Sequence, residues 1–74
     1  MEIDVGTMEQ ELAFKVKMHA YLYLDALIIL KRGKGERGRL EDYMEKRIKA
    51  IEGLLNVRRP FVIKERDDII LEVK

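Results

Sequence analysis

The sequence predicts an α+β fold: an antiparallel helical hairpin followed by a C-terminal β-hairpin, with a short strand at the N-terminus. Three observations carry this prediction. Apolar residues recur every three to four positions from about residue 7 to 32, and again from about 39 to 55. A basic, glycine-rich turn at residues 33–38 separates the two stretches. From about residue 58 to 74 the period drops to two, the signature of strands. Residues 1–74 make one small domain with no repeat and no linker.

Glu2 to Val5 alternates acidic and apolar residues and predicts a short first strand. Thr7-Met8-Glu9-Gln10 matches a capping box, with Thr7 as N-cap and Gln10 reaching back. Helix 1 then runs to about Arg32, where Gly33 stops it. At 100° per residue, Leu12, Val16, His19, Tyr23, Leu27 and Leu30 share one face. Phe14, Met18, Tyr21 and Ile28 lie on the opposite side. A helix that is apolar on both sides is covered on more than one side. One further helix and a small sheet are little cover for it. This predicts a homodimer or higher oligomer, with Phe14, Met18, Tyr21 and Ile28 at the interface.

Helix 2 presents Leu40, Met44, Ile48, Ile51 and Leu55 on one side and charged residues on the other. Asp42 with Lys46 and Glu45 with Lys49 are spaced for i,i+4 pairing in the favourable order. Gly53 or Asn56 supplies its C-cap. In the hairpin, a three-residue loop over Arg66 to Asp68 pairs Ile63 with Leu71 and Phe61 with Val73. That register gathers the large apolar residues on one face. A two-residue loop would set Glu72 opposite Phe61, so the pattern selects the odd loop.

Composition narrows the function. The chain has no cysteine, no serine and one histidine. It therefore has no thiolate for a metal, no disulfide staple and no serine or cysteine nucleophile. No cofactor and no metal site is expected, and a single-chain active site is disfavoured. The scarcity of amides and the richness in Lys, Arg and Glu resemble a thermophile's composition. The acidic N-terminus does not read as a secretory signal. The longest apolar run, Met18 to Leu30, is too short for a membrane span. A cytoplasmic protein is expected.

Charge is not uniform. Residues 31–39 carry a net +4 in a chain whose formal net is +1. Lys31, Arg32, Lys34, Arg37 and Arg39 are therefore candidates for anion or nucleic-acid contact, together with Arg58 and Arg59. Gly33 to Gly38 satisfies G-x-G-x-x-G by letter, but between two helices rather than after a strand, so a dinucleotide loop is excluded. No aromatic residue in the loop could stack on a base, so binding would be to phosphate and salt-dependent. An exposed link between helices accounts for the same letters more simply.

Asp25 and Arg47 each interrupt an apolar arc and are expected to pair, within the chain or across a dimer interface. Met8, Met18 and Met44 read as core filler. Tyr21, Tyr23 and Tyr43 read as an interface cluster. His19 reads as a half-buried histidine. Its functional alternative is a site shared between subunits with Tyr23. The sequence thus predicts a small non-catalytic interaction or assembly protein acting as a homo-oligomer, with a small nucleic-acid-binding protein as the alternative.

Overall fold

A computed structural model covers residues 1–74. In chain order the elements are β1 (Glu2–Asp4), a 3₁₀ turn (Val5–Thr7), α1 (Gln10–Lys31), α2 (Arg37–Leu55), β2 (Phe61–Glu65) and β3 (Ile69–Val73). The fold is α+β, as the periodicities require. The two helices pack antiparallel, and the sheet has order β1-β3-β2 with both pairings antiparallel. No helix is long and apolar enough to cross a membrane.

The capping box does not form. Residues 4–7 close a turn of their own: the Asp4 carboxylate accepts from the Gly6 amide at 2.9 Å, and the Thr7 hydroxyl donates to the Asp4 carbonyl at 2.8 Å. Val5, fully buried, anchors that turn in the core. With Thr7 engaged, Glu9 becomes the N-cap of α1 and accepts from the amides of Glu11 at 2.9 Å and Leu12 at 3.0 Å. Those two amides hold its carboxyl below the usual carboxylate range.

At its other end α1 closes with a Schellman motif. Gly33, at φ +69°, donates to Leu30 at 3.0 Å, and Lys34 donates to Ile29 at 3.2 Å. A side chain at that φ would be strained, which explains the glycine. α2 begins at Arg37, so Gly38 lies in its first turn rather than before it. Glu36 makes no side-chain cap. Asn56, in the left-handed conformation at φ +53°, ends α2.

The hairpin adopts the register that its apolar pattern demands: Phe61 opposite Val73, Ile63 opposite Leu71. β1 adds Ile3 opposite Leu71 on the far side. One sheet face thus carries Ile3, Ile63, Ile69 and Leu71 against the helices. Lys64 and Glu72 pair across the strands on the other face.

Neither expected i,i+4 pair of α2 forms an ion pair. Glu45 turns instead to Arg59, which bonds its carboxylate at 2.7 Å and that of Glu52 at 3.0 Å. The Arg59 amide also donates to Glu52 at 3.1 Å. Arg59 thereby ties the segment before β2 to the charged side of α2. Its guanidinium pulls Glu45 below the ordinary carboxylate range, and its amide, followed by its guanidinium, does the same for Glu52.

Only eight residues are buried, all apolar: Val5, Val16, Ala20, Ala26, Ile51, Ile63, Ile69 and Leu71. Seven of them form one cluster, to which α1, α2, β2, β3 and the 3₁₀ turn contribute. A core this small leaves little margin over conformational entropy. Ile51 is among the largest fully buried side chains and the only buried one on α2. Ile51→Ala should cost about 2–5 kcal/mol, and Ile51→Val about 0.5–1.5 kcal/mol. Urea titration followed by circular dichroism would measure both.

Candidate functional site

The most exposed large apolar side chain within an element is Phe14, at 69%. Met18, Tyr21 and Ile28 follow it up the same side of α1, each more than 40% exposed. Their spacing of four, three and seven residues keeps them in one stripe about 21 Å long. The reason is geometric. Val16, Ala20 and Ala26 are the residues α1 buries against the rest of the chain, and Phe14, Met18, Tyr21 and Ile28 point the other way. Met18 is therefore surface, not core filler, whereas Met8 and Met44 are half-buried. The three tyrosines do not gather: Tyr21 is exposed, Tyr23 packs against the core, and the Tyr43 ring lies 4.7 Å below the Arg47 guanidinium.

Beside the stripe runs an open apolar groove of about 400 Å³ between α1 and α2. Leu22, Ala26, Ile29, Leu40 and Tyr43 line it, with Asp25, Glu36 and Arg39 as its charged members. Sequence reasoning missed this groove. Its one local sign was Ile29 next to Ile28, which widens the apolar arc toward α2.

The Asp25–Arg47 pair is corrected within the chain. Arg47 donates from Nη1 to His19 Nδ1 at 3.2 Å and forms no ion pair, and its buried Nε has no partner. Asp25 is exposed and makes no ion pair. His19 and Asp25 are six residues apart on α1, which separates them by about 9 Å of rise and turns them to different sides. A residue opposite His19 cannot also reach Asp25.

Because an arginine can only donate, His19 Nδ1 is the acceptor and neutral His19 carries its proton on Nε2. Burial, and secondarily the Arg47 charge, push the His19 pKa below the ordinary 6.5. No carboxylate or nucleophile joins it, and no group of three or more His, Asp or Glu side chains converges to hold a metal.

The basic residues divide into two places. Lys31, Arg32 and Lys34 make no ion pair at the interhelical tip. Arg37 pairs with Glu41 at 2.7 Å and Arg39 with Glu36 at 3.2 Å, both highly exposed. Such pairs contribute about 0–1 kcal/mol and are easily exchanged. Arg58 and Arg59 follow α2, about 28 Å along the helix from the tip, and Arg59 is held by two glutamates. They do not join the tip into one surface.

A pH effect follows from His19. Its pKa is lower folded than unfolded, so the unfolded chain takes up the proton first. Stability is full above pH 6.5 and falls as pH drops through the folded value. Glu45 and Glu52 add a separate loss only below about pH 4.5. Urea midpoints at about pH 7.5 and pH 5 should therefore differ for the native chain and converge for His19→Gln. Compared with family models, curated proteins and solved structures, the chain finds no match in any of the three.

Proposed function

We propose that this chain is a small, non-catalytic association module of the cytoplasm that works as a homo-oligomer, with the outer side of α1 as its contact surface. The observation that carries this reading is the stripe of Phe14, Met18, Tyr21 and Ile28, exposed on a helix whose opposite side is already buried. Two facts support it. Large apolar side chains exposed along one line, broken only by Asp25, forgo part of the roughly 1.5–3 kcal/mol that full burial of each would contribute, and exposed apolar patches mark interaction sites. The core itself holds only eight residues, so a chain this small gains from further burial in an oligomer.

A standard interface takes about 800 Å² from each partner. That is about 15% of this chain's 5302 Å² surface. One helical stripe with its groove lies at or below that size, so association should depend on concentration. Sedimentation equilibrium should show mass rising from 8.7 kDa toward a multiple of it as concentration increases. Phe14→Glu should hold the chain at 8.7 kDa with an unchanged circular dichroism spectrum. A native chain that stays monomeric at every concentration would overturn the proposal.

A second reading, a small nucleic-acid-binding protein, draws on the tip. Lys31, Arg32 and Lys34 make no ion pair there, and Lys31, Lys34 and Arg37 line a cleft of about 260 Å³ beside Gly33 and Gly35. The uncapped amides of α2 add partial positive charge nearby. Binding of this kind would be to phosphate and would weaken steeply with salt. In a titration with a duplex oligonucleotide at low and physiological salt, neutralising Lys31, Arg32 and Lys34 should remove more affinity than neutralising Arg37 and Arg39. No binding at low salt would remove the reading.

A further inference from the structure

We propose that the partner on the α1 stripe is a second copy of this chain, paired antiparallel about a two-fold axis at Tyr21. This rests on the reading of α1 as an association surface and specifies its occupant and register.

Phe14 and Ile28 are placed symmetrically about Tyr21, whereas Met18 falls opposite Leu24, which packs toward the core. Phe14 lies seven residues before Tyr21 and Ile28 seven after, about 10 Å each way. A two-fold axis there brings the large Phe14 ring of one copy to the level of Ile28 of the other. The groove between α1 and α2 begins at that level, with Ile29 as its wall and Leu22, Ala26, Leu40 and Tyr43 behind it. The most protruding apolar group of α1 thus meets Ile28 of its copy, twice in each pair, while the groove opens on the far side of Ile29. That is the self-complementarity a two-fold interface requires.

Charge selects the direction. α1 begins with Glu9 and Glu11 and ends with Lys31 and Arg32. Antiparallel pairing sets each acidic start beside a basic end. It also brings Asp25, which has no partner in its own chain, to the level of Lys15 and Lys17 of the other copy. Both lysines make only surface pairs, with Glu11 at 3.6 Å and Asp68 at 3.2 Å. Parallel pairing would stack Asp25 on Asp25 and Arg32 on Arg32, and it would align the two helix dipoles unfavourably. In the antiparallel pair the two basic tips point to opposite ends, so each acts alone.

The absence of native cysteine makes a direct test available. Glu11→Cys and Arg32→Cys flank the stripe, are exposed, and leave every apolar residue in place. Each variant alone, and an equimolar mixture, would be treated with a short bismaleimide and run on a denaturing gel. Antiparallel pairing predicts a cross-linked dimer as a main product in the mixture and its near-complete loss with either variant alone. Strong self-cross-linking of each variant would overturn the proposal in favour of parallel pairing. A native chain of doubled mass with no cross-link in any sample would overturn the register while leaving self-association standing. A native chain that is monomeric throughout would overturn both.

Discussion

The structure turns on one constraint: α1 is apolar on two sides, and the chain can cover only one of them. Val16 and Ala20 vanish into the core with Ile51 and the sheet face of Ile63, Ile69 and Leu71. Once α2 and the three strands have spent their apolar faces on that side, nothing remains for the other. Phe14 at 69% exposure and Ile28 at 47% are the consequence. Neither is a local packing fault, because α1 is regular and capped at both ends.

The same constraint orders the other features. Arg59, Asp4 and Glu9 secure the connections between elements through hydrogen bonds. The polar contacts lie mostly at the periphery, and no polar or charged residue is buried. Arg47 comes closest, sandwiched between His19 and the Tyr43 ring where the helices cross. Burial there, and secondarily the Arg47 charge, lower the His19 pKa, so that crossing responds to mild acid.

Much of the fold was legible in the residues, because it depends on period and parity. The apolar alternation of Phe61, Ile63, Leu71 and Val73 settled the hairpin register once an odd loop was chosen, and β3 could then accept Ile3 on its other edge. Both sides of α1 were equally readable from spacing. Capping was less so: Thr7 has the right letters, yet the burial of Val5 bends the chain into a separate turn and passes the role to Glu9. Ion pairs were least legible. Helical periodicity places Asp25 and Arg47 in apolar arcs, but the level at which two helices cross depends on how Gly33 and Gly35 turn the chain. That turn sets Arg47 against His19. Glu45 likewise chose Arg59, fourteen residues away, over Lys49 on its own helix, a long-range choice that local spacing does not encode.

Intermolecular nuclear Overhauser effects in a mixed sample test the central claim most directly. One half of the protein would carry labelled isoleucine methyl groups and the other half labelled phenylalanine rings. The account predicts cross-peaks between the Phe14 ring of one molecule and the Ile28 and Ile29 methyls of another. The absence of intermolecular contacts anywhere along Phe14, Met18, Tyr21 and Ile28, in a concentrated sample, would contradict it.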